Sequence, residues 1–155
     1  MSEMTAVTMQ KGGVGKTTTA INFSVGLALA GEQVLLVDLD PQANATHGLG
    51  HEVTESEPGI YQLLFGETDT DRVIQETDID GLSLIGASAD LNGARAELPR
   101  NQSEYNELDD RFVDIRGNYD WVIIDCPPSL GPLTLNALRS VNSVLIPLQA
   151  EYYAL

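Results

Sequence analysis

Lys11-Gly12-Gly13-Val14-Gly15-Lys16-Thr17-Thr18 holds both lysines of a chain of 155 residues. A sequence that otherwise avoids lysine has kept it where glycines remove side chains, expose backbone N–H groups and leave room for a polyanion. Upstream, Thr5-Ala6-Val7-Thr8-Met9 is a short apolar run of β type. Downstream, a helical pattern opens at Lys16 and stops at Gly31, a residue suited to a helix C-cap. The stretch therefore joins a strand to a helix. Successive N–H groups and the positive end of the helix dipole then point at one anion, with Lys16 as a point charge and the Thr17 hydroxyl placed for Mg²⁺. A glycine-rich turn with two exposed lysines is the plainer alternative, and it leaves the lysine placement unexplained.

Two further segments end in acids. Gln33-Val34-Leu35-Leu36-Val37 is a continuous apolar run, as a parallel strand covered on both faces requires, and it leads into Asp38-Leu39-Asp40-Pro41-Gln42. If the chain stays extended to Asp40, both carboxylates share one side of the strand end. A strand followed by an Asx/Pro turn at Asp40-Pro41 accounts for the same residues, and this segment alone leaves the choice open. Trp121-Val122-Ile123-Ile124-Asp125 reads as a buried strand with a carboxylate at its tip, followed by Pro127-Pro128, which forces the chain out of the sheet. Asp125 is the candidate for a Mg²⁺-bound water; the alternative is a strand-end turn that keeps it in water, since an unpartnered buried acid is costly. Ligands of open parallel sheets bind at the carboxyl ends of strands, where all three segments lie.

The general phosphate-loop pattern needs glycine at position 10, where this chain has Gln10. K-G-G-V-G-K-T-T instead resembles the deviant Walker A motif of the ParA/MinD family of ATPases. VDLDPQANATHGLG resembles the switch I segment of its ParA and Soj members, and the stretches Gly131–Leu138 and Ser143–Leu155 look like Soj-type partitioning ATPases. The resemblance runs from Thr5 to Leu155. It implies a P-loop fold: a doubly wound, mainly parallel α/β sheet with helices on both faces. It implies ATP and Mg²⁺ as cofactors, with Lys11, Gly12, Gly13, Val14, Gly15, Lys16, Thr17, Thr18 and Asp38 at the nucleotide and Thr17 and Asp125 at the metal. It gives Lys11 the role of a signature lysine that reaches a partner subunit's nucleotide, Asp40 that of orienting the attacking water, and Asp38 that of organising the lysines and metal. The implied partners are a second copy of the chain in an ATP-dependent dimer, a ParB-like activator and nonspecific DNA, in chromosome or plasmid segregation. The MinD branch, which serves cell-division placement and binds membrane through a C-terminal amphipathic helix, is the alternative; DPQAN and Glu151-Tyr152-Tyr153-Ala154-Leu155 favour ParA. Family members continue further, so residues 1–155 read as one ATP-binding domain, truncated at its C-terminal side or a homologue that only binds nucleotide.

Composition bounds the remaining choices. A chain this long buries about 68 to 70% of its unfolded surface in one core. It has no apolar stretch of spanning length, no basic leader segment, and one cysteine, Cys126, so we expect a cytoplasmic protein, nucleoid-associated if it acts as ParA proteins do. A dinucleotide-binding oxidoreductase would leave Lys16-Thr17 unexplained and puts Thr18 where its third glycine belongs. A reductase of the nitrogenase iron-protein type needs more cluster cysteines than this chain has. His47 and His51 flank glycines and lack acidic or cysteine partners at ligand spacing, so they read as loop histidines. Residues 51–80 read as small amphipathic helices with acidic faces, Gly81–Gly86 as a strand, and Ala87–Leu98 and Ser103–Arg116 as helices.

The net charge is −15. DNA phosphates need cations, and the arginines are locally outnumbered by acids, so this segment alone should bind DNA weakly. Few lysines and many carboxylates also resemble the proteins of salt-loving organisms, whose self-repulsion concentrated salt screens. The melting temperature is therefore expected to rise with KCl up to molar concentrations, as a thermal melt at stepped salt would record; a flat or falling trend would remove that reading.

Overall fold

The computed structural model describes residues 2–54, 57–98 and 107–150. Parts of the region expected to be helical at Ser103–Arg116, and the Glu151–Leu155 stretch, lie outside the described residues. Six strands form one sheet: β1 (Glu3–Val7), β2 (Val34–Asp38), β3 (Ile74–Glu76), β4 (Leu82–Ile85), β5 (Trp121–Asp125) and β6 (Ser143–Leu145), in the order β3-β4-β2-β5-β1-β6. All pairings are parallel except β3 with β4. Helices α1 (Lys16–Leu29), α2 (Asn44–Gly48), α3 (Ile60–Leu64), α4 (Thr70–Val73), α5 (Leu91–Glu97), α6 (Glu107–Arg111) and α7 (Pro132–Ser140) complete the frame.

The apolar runs behave as sheet-centre strands must. Every residue of β2 is buried, as are Val122 to Asp125 of β5, because helices cover both faces. Two cores result. One face packs Leu35, Val37, Val122 and Ile124 with Phe112, Leu108 and Leu133 from α6, α7 and the segments beside them. The other packs Val7, Val34, Leu36 and Ile123 with α1, which presents Ala20, Ser24 and Ala28 at helical spacing. Each fully buried leucine or isoleucine contributes about 1.5–3 kcal/mol relative to exposure.

Register is what builds the site. Val7 and Asp38 both pair with Asp125, so the ends of β1, β2 and β5 stand level at one edge. The pairing continues a step beyond the strands, through Cys126 N–H to the Val7 carbonyl at 3.1 Å and Leu39 N–H to the Asp125 carbonyl at 2.9 Å.

Several boundaries differ from the sequence reading. β1 begins at Glu3 and ends at Val7, so Thr8 and Met9 belong to the loop. Ile74 does not prolong a helix but opens β3, a short antiparallel edge strand; such edges are kept short and charged, and Glu76 ends this one. His47 lies in helix α2 rather than in a loop. Along the other edge, Val144, Ile146 and Leu148 remain about half exposed.

Candidate functional site

The loop between β1 and α1 is shaped by two glycines. Gly13 and Gly15 adopt φ of 74° and 86°, the left-handed region that side chains disfavour, and a Cβ on Gly12, Gly13 or Gly15 would meet nothing within 4 Å. The space in front of the backbone is open. No side chain caps the amino end of α1, a helix of 14 residues, so its first N–H groups remain available to an anion. Lys16 is only 8% exposed at that end, while Lys11 is half-buried and Thr18 exposed. Gln149, which the sequence reading did not single out, donates from Nε2 to the Gly13 carbonyl at 3.2 Å and so touches the loop from the far end of the chain.

Asp125 stands opposite. Its carboxyl is fully buried and neither oxygen has a hydrogen-bond partner. Burial pushes the pKa up to about 7, with Asp38 and Asp40 adding like charge, while the Thr17 hydroxyl and Lys16 favour the charged form. The strand-end turn that would have kept this acid in water is thereby ruled out. Two orphaned, buried oxygens beside a threonine hydroxyl and a lysine are a donor set whose chemistry suits a cation. Among the described residues no three acids, histidines or cysteines cluster as a metal cage. Magnesium at a phosphate site needs none, since it takes one or two protein oxygens plus phosphates and water. The residues present fit that cation.

Asp38 and Asp40 are also buried, but they face differently. Asp38 Oδ2 accepts the Thr46 N–H and the Thr46 hydroxyl, both at 2.8 Å, and Oδ1 accepts the Asp40 N–H at 3.1 Å. Burial raises its pKa, and these donors hold it back. Its hydrogen bonds thus run to the segment that follows β2. Asp40 lies past the end of β2, where its Oδ1 accepts the Gln42 N–H at 3.0 Å. This is the Asx-type turn of the sequence alternative, and the buried acids of the functional one stand in the same place. Between the turn and α2, Ala43 has φ 53°, the one non-glycine among the described residues with positive φ.

A mainly parallel sheet with a glycine loop at the end of β1 and acids at the ends of β5 and β2 is the arrangement of a P-loop nucleotide-binding fold. The sequence model of the AAA domain family matches residues 2–155, and the chain belongs to that family. It is 48% identical over 155 residues to the sporulation initiation inhibitor protein Soj of Bacillus subtilis, covering 100% of this chain and 61% of Soj. The fold is similar to that of a cobyrinic acid a,c-diamide synthase from Mycobacterium smegmatis solved with ADP and magnesium, with a TM-score of 0.93 and 41% identity over 100% of this chain and 63% of that one. A plasmid partition protein from Borrelia burgdorferi bound to AMPPNP gives a TM-score of 0.87 and 30% identity over 99% and 65%. The chain thus spans about 61% of the Soj relative's length. No helix among the described residues is long and apolar enough to cross a membrane.

Proposed function

We propose that this chain is the nucleotide-binding unit of a ParA/Soj-like partitioning ATPase, with ATP and Mg²⁺ at the loop. The observation that carries the reading is the pair of unpartnered, buried Asp125 oxygens facing Thr17 and Lys16. Loop amides Gly12 to Thr18 would bind the phosphates, Lys16 would place its ammonium on the β and γ groups, and Thr17 and Asp125 would hold the metal. Mg²⁺ supplies charge neutralisation as the terminal phosphoryl group transfers to water. Asp40 orients that water, and the buried walls of β2 and β5 keep bulk solvent away. Lys11 serves a second copy of the chain in an ATP-dependent dimer, a cation worth roughly 10³ to 10⁵ in rate where arginine fingers do that job. A ParB-like protein activates turnover, and hydrolysis releases the dimer. DNA contacts of this segment are weak, because its charge of −15 opposes phosphate.

The kinship with Soj and the shared architecture with nucleotide-bound structures support the reading over the MinD alternative. Asp40→Ala separates binding from chemistry. ATP affinity is expected to stay within about threefold of wild type, while turnover falls by roughly 10² or more, since a positioned general base or water-orienting group contributes about 10²–10⁴. Equal turnover in the two proteins would remove Asp40 from the mechanism.

A further inference from the structure

Thr46 is fully buried, and its hydroxyl is used twice: it donates to Asp38 Oδ2 at 2.8 Å and accepts the Ala87 N–H at 2.9 Å. Its own N–H adds a second bond to the same Asp38 oxygen at 2.8 Å. Three parts of the fold meet at this one side chain: the tip of β2, helix α2, and the connection leaving β4. From Asp38 the chain of bonds continues through Oδ1 to the Asp40 N–H and from Asp40 Oδ1 to the Gln42 N–H.

The backbone between these points is strained at Ala43, whose left-handed conformation persists only where its surroundings over-determine it. The Ala43 N–H is bonded to the Asp40 carbonyl at 2.8 Å and the Ala43 carbonyl accepts the His47 N–H at 2.9 Å. Anchors therefore stand on both sides of the strained residue, with Thr46 one turn beyond it.

We propose that Thr46 is a positioning residue that fixes Asp40 through Asp38, tying the segment 39–43 to the β4–α5 connection. This rests on the proposed role of Asp40 and adds a requirement to it. Asp38 acts in this scheme as the relay between Thr46 and Asp40. Valine has the shape of threonine without the hydroxyl, so Thr46→Val breaks both side-chain bonds at nearly constant volume, while Thr46→Ser keeps them.

Two readouts on the whole chain test this. In ATP turnover, normalised to the fraction of protein that binds nucleotide, Thr46→Val is expected to lower kcat at least tenfold with KM within threefold, and Thr46→Ser to recover kcat to within threefold of wild type. In hydrogen exchange, the amides of Leu39, Asp40, Gln42 and Ala43 are expected to exchange at least tenfold faster in Thr46→Val than in wild type, with Thr46→Ser close to wild type. Should Thr46→Val not fold, Thr46→Ala takes its place. Exchange unchanged in the hydroxyl-free variant, or a kcat that serine does not restore, overturns the proposal. If wild type turns over no ATP, the hydrolytic reading of Asp40 fails, and the exchange measurement still decides whether Thr46 holds the segment.

Discussion

Replacing Lys16 by alanine is expected to reduce ATP turnover by roughly 10³, equivalent to about 4 kcal/mol of lost transition-state stabilisation, the scale found when one preorganised charge or donor is removed from a water-excluded site. The reason is geometric. Lys16 opens α1 at the positive end of the helix dipole and is nearly buried, and the space in front of Gly12, Gly13 and Gly15 is open. Those amides can hold a phosphate without it, but they cannot follow the charge that moves onto the β–γ bridge as the bond breaks. Lys16 also opposes the raised pKa of Asp125, so its loss leaves that acid less able to ionise and hold a metal. A coupled phosphate-release assay, paired with the rise in melting temperature caused by Mg·ATP, measures both consequences. Turnover and thermal shift unchanged in Lys16→Ala would contradict the assignment of the loop.

The second large effect concerns Asp125 in the nucleotide-free protein. Its pKa is raised from 3.8 to about 7, so the folded chain keeps a proton that the unfolded chain has already released across that interval. The contribution of this group to stability is therefore greatest at the acid end, falls as pH rises from about 4 to about 7, and is flat above. At 1.36 kcal/mol per unit, the full loss is about 4 kcal/mol. Asp125→Asn cannot ionise and removes this slope. It is expected to be more stable than wild type at pH ~8 by on the order of 2 kcal/mol, less than the full amount because a buried carboxamide also leaves hydrogen bonds unmade. Near pH ~4 the order is opposite, with the variant less stable by about 2 kcal/mol, so the difference between the two proteins changes by about 4 kcal/mol across the interval. Other carboxylates titrate in both, so the difference between the urea midpoints at the two pH values isolates this residue. With Mg·ATP at a hundred times the wild-type Kd the gap at pH ~8 narrows: wild type gains about 2.7 kcal/mol, and the variant gains less. A wild type whose stability relative to Asp125→Asn does not change with pH would show that the carboxyl is solvated.

Much of this site was legible because its signals are local. Two lysines confined to a glycine run, and apolar runs that each end in an aspartate, identify three strand ends without reference to anything distant. What they could not convey was register, although the apolar runs implied a parallel sheet. The level alignment of Val7, Asp38 and Asp125 is a property of the assembled strands. The role of Thr46 was hidden for a related reason: its acceptor is eight residues back, and its donor, the Ala87 N–H, is 41 residues ahead. Asp38 illustrates the same limit: its bonds to the Thr46 N–H and hydroxyl and to the Asp40 N–H come from the folded segment that follows β2, and no run of residue types announces them. The helix α2 and the strained Ala43 escaped as well, since the Asn-Ala-Thr-His-Gly stretch has no helical periodicity to read. β3 was missed because a three-residue edge strand in an acidic region gives no alternation long enough to distinguish it from a helix end.

The central claim is that a magnesium-bound triphosphate lies between the glycine loop and Asp125. Calorimetric titration of ATP into the whole chain, with Mg²⁺ and again with EDTA, tests it most directly. The prediction is affinity at least about tenfold higher with the metal, or about 1.4 kcal/mol, and loss of that difference in Asp125→Asn. Equal affinity with and without Mg²⁺ in wild type, or a metal dependence that survives in Asp125→Asn, would contradict it.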